Sequence, residues 1–138
     1  MSDGNLRKLF KANLPTAHWQ PIETWSTGQG VPDAEYCFPI GRCGWIENKK
    51  TTGFTVKISP EQVAWMERRC RVGGRCFVAV RRQVLGLKRC DELWLFRGSN
   101  ARALMLRGLL AADAKCICTM LGGPSRWNWQ EVEQILRS

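Results

Sequence analysis

Three side chains in one short stretch are of types that could do chemistry together. In GVPDAEYCFPIGRCGWIENKK, residues 30 to 50, Asp33 follows a proline, and Glu47 and Lys49 are separated by Asn48 alone. Alternate residues of a strand share a face, so a strand through CGWIENK points Glu47 and Lys49 one way and Asn48 the other. AEYCF is a second short strand-like run, and the turn-rich FPIGR between the two makes them a hairpin. Folding back through that turn brings Asp33, at the start of the partner strand, beside Glu47. Two carboxylates at one sheet edge repel each other and resist joint burial unless a cation lies between them. Oxygen-only ligands select a hard ion such as Mg²⁺. Lys49, on the same face, adds a positive charge able to orient a water and to stabilise charge developing on a phosphate oxygen. An isolated Glu-x-Lys is equally an ordinary solvated strand with cross-strand pairs, so the surrounding elements carry weight.

Those elements follow from periodicity and punctuation. GNLRKLFKANL places Leu6, Leu9, Phe10 and Leu14 at helical spacing and is stopped by Pro15. HWQPIETW reads as a first strand and STGQG as a loop. Ser59, Pro60 and Gln62 in SPEQ form a capping-box start for the helix EQVAWMERRCRV, which Gly73 and Gly74 end. RCFVAVRR and ELWLF are strands separated by the turn-like LGLKRCD. SNARALMLRGLL, with Ser99 or Asn100 near its cap, and WQEVEQIL are helices on either side of the loop LGGPSRWN. The order α-β-β-β-α-β-β-α-α predicts an α/β fold, a mixed central sheet flanked by helices. With 138 residues and 44% hydrophobic content, one domain over residues 1–138 is large enough to bury a core, and nothing reads as an interdomain linker.

Charge points outward. Lys and Arg number 21 against 12 Asp and Glu, leaving +9, a balance that suits a polyanionic partner. From Arg68 to Arg89 there are eight Lys or Arg and no acid, a run that is either a basic binding face or an ordinary solvated one. No apolar run approaches the roughly 20 residues that a membrane span needs, which excludes a membrane partner of that kind. Seven cysteines, an odd number, and the lack of a signal-peptide pattern predict a reduced, cytoplasmic protein. Cys116 and Cys118 form a CxC that could belong to a zinc site, but small buried hydrophobes are the default reading of the cysteines.

Pro32-Asp33 followed by Glu47-Asn48-Lys49, with a Gly-x-Pro-Asp before the hairpin and a helix then a strand after it, resembles the PD-(D/E)XK nuclease superfamily. Over residues 18 to 97 the chain is similar to Holliday-junction resolvases and to VRR-NUC nucleases. The resemblance implies a restriction-endonuclease-like core and a metal-dependent phosphodiesterase acting on DNA. Asp33 and Glu47 would ligate Mg²⁺, for which Mn²⁺ would substitute, with the backbone carbonyl of Asn48 completing the protein's share. Lys49 would position or help deprotonate the attacking water, leaving a 5′ phosphate and a 3′ hydroxyl. Many relatives place a further carboxylate on the N-terminal helix. Residues 1 to 17 hold only Asp3, near an end expected to fray, so Glu23, with Gln20 behind it, is the substitute in the catalytic set.

Lys50 and Lys57, flanking TTGFTV, and Arg81 and Arg82, closing a strand, are the expected phosphate contacts, which position DNA without reading its sequence. Ser26 and Thr27 match the small polar loop that precedes the Pro-Asp in the similar resolvases. Gln62 aligns with a glutamine often seen in the similar nucleases, although helix capping explains it fully. Trp127 and Trp129 either stack on unpaired bases at a branch point or anchor the last helix. Three functions follow as alternatives. The first is a structure-selective endonuclease for branched DNA, above all four-way junctions in recombination, which requires a homodimer and would suit a phage-type enzyme. The second is a flap or duplex nuclease, and the third a non-catalytic nucleic-acid-binding module.

Overall fold

The computed structural model describes residues 3–23 and 29–138. Its centre is a six-stranded mixed sheet in the order β1 (His18–Pro21), β2 (Ala34–Phe38), β3 (Arg42–Thr51), β4 (Cys76–Val84), β5 (Cys90–Arg97) and β6 (Cys118–Met120). Only β3 and β4 run parallel, and the crossover that this requires is the helix α2 (Pro60–Arg71). Helix α1 (Leu6–Asn13) precedes the sheet, and α3 (Ala101–Arg107) and α4 (Trp129–Arg137) follow β5 and β6. The α/β architecture and every helix expected from periodicity are present. Among the described residues, no helix is long and apolar enough to cross a membrane.

Each face of the sheet carries its own core. Leu6 and Phe10 of α1 and Val132 and Leu136 of α4 pack with Ile46, Phe77 and Ala79 on one face. Val63 and Met66 of α2 and Leu104 of α3 pack with Val78 and Val80 on the other. β4 lies between them, its first five residues buried on both sides, which is why CFVAV reads as a continuous apolar run rather than an alternating one.

The α2 cap forms as its sequence dictates. The Gln62 amide N–H donates to Ser59 Oγ at 3.1 Å, and the Ser59 N–H donates to Gln62 Oε1 at 3.0 Å. At the other end Gly73 adopts φ 92°, and its N–H bonds to the Cys70 carbonyl.

Two expectations are corrected. The strand β6 was not foreseen: three residues flanked by Cys116 and by a Gly pair give no periodicity to read, and only pairing with β5 reveals them. Cys37 and Cys43, expected to be reduced, face each other directly across the β2–β3 hairpin and are joined as a disulfide. Antiparallel register puts them within bonding reach, a relation that spacing in sequence alone leaves open. Trp127 is 3% exposed, and the Trp129 indole N–H donates to the Pro124 carbonyl at 2.9 Å, so this pair anchors the approach to α4.

Candidate active site

Register builds the site. Ala34 pairs with Ile46, so Asp33, one residue earlier, meets Glu47 at the end of the hairpin away from its turn. The Asp33 backbone N–H donates to Glu47 Oε1 at 3.2 Å, and the Asn48 backbone N–H and Nδ2 donate to Asp33 Oδ2 and Oδ1 at 3.3 and 3.0 Å. Asn48 lies on the α1 face of β3, opposite to Glu47 and Lys49, yet its amide reaches round to Asp33. Gly30 lets the preceding loop come this close. It adopts φ 85°, and a Cβ there would collide with the Glu61 carbonyl in the first turn of α2.

The other half of the site hangs on the α2 cap. Gln62 Nε2 donates to Glu47 Oε2 at 3.1 Å, and Lys49 Nζ donates to Gln62 Oε1 at 3.1 Å while lying 3.3 Å from Glu47 Oε2. The amide that closes the capping box therefore also fixes the distance between acid and base. Capping and placement of the site are one arrangement.

These groups line a cavity of about 260 Å³ with Asp3 and Arg7 at its edge. Glu47 is 4% exposed. Burial pushes the Asp33 carboxyl up to about 7, the adjacent Glu47 charge adding to it and the Asn48 N–H and Arg7 opposing it. Burial likewise raises Glu47, offset by the Lys49 ammonium and by the Gln62 bond. The cavity thus holds two apposed acids whose ionised forms are both disfavoured, the situation that a bound cation relieves.

The donor set fits such an ion. Asp33 and Glu47 present carboxylate oxygens, no thiol or imidazole lines the cavity, and Mg²⁺ is commonly held by one or two carboxylates plus waters and substrate phosphate. Among the described residues no group of three or more His, Cys, Asp or Glu is gathered as for a metal ion, so the protein's side-chain share here is a pair.

The remaining sequence candidates are placed differently. Glu23 and Gln20 line a neighbouring cavity that shares Arg7 and Asn48 with this one, not the cavity that Asp33 and Glu47 line. The acid that sequence reasoning set aside, Asp3, is at the site. Its carboxylate accepts from the Asn5 N–H at 2.9 Å and pairs with Arg7 at 3.3 Å, and the segment is pinned by a 2.7 Å bond from Arg81 Nη1 to the Gly4 carbonyl. The Asp-x-x-x-Arg spacing of Asp3 and Arg7 was the available signal for this order. Lys50 and Lys57 are exposed, as phosphate contacts require. Arg81 instead makes a bidentate pair with Asp91, and Arg82 pairs with Glu92. Both guanidinium charges are thereby matched within the sheet, which counts against their role as phosphate contacts. Ser26 and Thr27 lie outside the described residues.

No protein-family model and no curated protein sequence matches the chain.

Proposed function

We propose that this protein is a Mg²⁺-dependent endonuclease that hydrolyses phosphodiester bonds in branched DNA, foremost four-way junctions, and that the hairpin, α2 and β4 form a restriction-endonuclease-like core. The observation that carries the reading is the buried pair Asp33 and Glu47, with Lys49 held beside them by Gln62. An acid pair this buried is costly in a protein that needs it only for stability.

Asp33 and Glu47 would hold the ion, with the Asn48 carbonyl as a third oxygen. Bound there, Mg²⁺ supplies Lewis acidity, lowering the pKa of a water and offsetting charge on the scissile phosphate. Lys49 is a proton-bearing group on the wall of the same cavity. Its ammonium, shared between Glu47 and Gln62, is positioned to orient the water and to stabilise negative charge developing on the phosphate. Gln62 ties the two together, donating to Glu47 Oε2 and accepting from the Lys49 ammonium. Lys50 and Lys57 would hold the backbone. A four-way junction requires two symmetric incisions, so this function calls for a homodimer with two facing sites.

The test is cleavage of synthetic four-way junction, flap, linear duplex and single strand with Mg²⁺ or EDTA, comparing the wild type with Glu47→Gln. Paired junction incisions that need Mg²⁺ and fall by about 100-fold or more in the variant are expected. Preferential cutting of flap or duplex would replace the substrate assignment. Binding of these DNAs without any incision would leave only a nucleic-acid-binding module.

A further inference from the structure

The second cavity against α1 is chemically distinct from the catalytic one. It has a volume of about 350 Å³, and its walls include Arg7, Lys8 and Lys11 of α1, Trp19 and Pro21 of β1, and Asn48. Arg7 and Lys11 are four positions apart and Lys8 and Lys11 three, so the cations cluster on one helix flank. Lys8 and Lys11 are exposed. Glu23 is the acid on this wall.

Beneath the cations the surface is apolar and rigid. The Trp19 indole N–H donates to the Leu14 carbonyl at 2.9 Å, and its ring stacks on Phe10 with centroids 5.8 Å apart. Asn48, 4% exposed, stands on the wall common to both cavities. Its Nδ2 is spent on Asp33, while its Oδ1 is buried with no hydrogen-bond partner. A buried amide oxygen left unpaired is costly, and the cost is removed by a ligand that brings a donor.

We infer that this cavity holds a single unpaired nucleotide adjoining the scissile phosphate, its phosphate met by Lys8 and Lys11, its base lying on the Trp19 and Pro21 surface and offering a donor toward Asn48. The placement next to a cut rests on the nuclease reading; the chemical class of ligand rests on the cavity alone. The volume is at the small end for ligand cavities, a fit to one nucleotide rather than to a stretch of duplex. Cations beside a fixed aromatic surface are what a protein uses to hold an unstacked base, and such contacts tolerate different bases. Because Arg7 and Asn48 belong to both cavities, a nucleotide seated here would place its neighbouring phosphodiester toward Asp33 and Glu47, which favours substrates whose pairing is already broken at the cleavage point.

The experiment is an NMR titration in EDTA with 2′-deoxycytidine 5′-monophosphate, with inorganic phosphate as the comparison. It uses wild type and the surface variant Lys8→Glu/Lys11→Glu. The nucleotide is expected to move the Trp19 indole and Asn48 side-chain amide signals and to bind more tightly than phosphate. The charge reversal should weaken binding by about tenfold or more. Unmoved Trp19 and Asn48 signals, equal affinity for phosphate, or indifference to the charge reversal would each overturn the assignment. Since nothing is hydrolysed in EDTA, a protein that passes this titration yet cuts no DNA loses the nuclease reading and keeps the nucleotide cavity. One that cuts DNA and fails the titration loses the cavity alone.

Discussion

Asp33 carries the largest consequence of burial among the site's acids. Its carboxyl is raised from the ordinary 3.8 to about 7, by loss of water first and by Glu47 second. An acid with a raised folded pKa favours the folded state while protonated, so its cost to stability is absent below the ordinary value, grows as pH rises between the two, and is complete above the folded one. In EDTA, wild type should therefore lose stability relative to Asp33→Asn as pH rises from about 4 to about 7, by at most about 4 kcal/mol. Urea denaturation across that range measures it, and parallel pH profiles for the two proteins would remove burial as the cause. Asp33, Glu47 and Lys49 were legible because strand parity and a short hairpin are local facts. Asp3 was legible only in part: its i,i+4 spacing to Arg7 is local, but the bond from Arg81 to Gly4 that pins the segment spans 77 positions.

The start of α2 does two jobs that substitution can separate. Ser59 supplies only the cap, whereas Gln62 closes the cap and also holds Lys49 and Glu47. Ser59→Ala should cost about 1 kcal/mol of stability and leave the cleavage rate near wild type. Gln62→Ala should cost a similar amount and in addition slow cleavage by about tenfold or more. Denaturation and single-turnover rates measured on both variants distinguish a placing role from a purely structural one. The cap was legible in SPEQ, but its reach to Lys49 was not, because the parallel β3–α2–β4 crossover that brings them together is a tertiary fact. The hairpin turn shows the converse. Ile40 adopts φ 66° and is 92% exposed, an uncommon conformation for a β-branched residue that FPIGR gives no means to foresee.

At the scale of the whole molecule, a charge of +9 divides into cations bound within the fold and cations left to act outward. Lys50 is among the latter, so Lys50→Ala should lower the steepness of the salt dependence of DNA binding by about 1 in log–log slope while leaving stability unchanged. Arg81→Ala should do the reverse and cost about 3 kcal/mol, because it strands a partly buried Asp91. Salt titrations and denaturation of the two variants test this division. The helices and every strand but β6 were predictable from the sequence pattern, but which arginines are internal was not, since Asp91 and Glu92 reach them only through strand pairing. Arg81 has a further consequence, in time rather than in space. It binds Asp91 across 10 positions, Gly4 across 77, and lies 5.6 Å from the Trp127 ring. Short loops close at lower entropic cost than long ones, so the β4–β5 pairing is favoured to form first, and the Asp3 segment to settle onto a strut already in place. The acid at the edge of the cavity that Asp33 and Glu47 line is then favoured to arrive after β4 and β5 have paired.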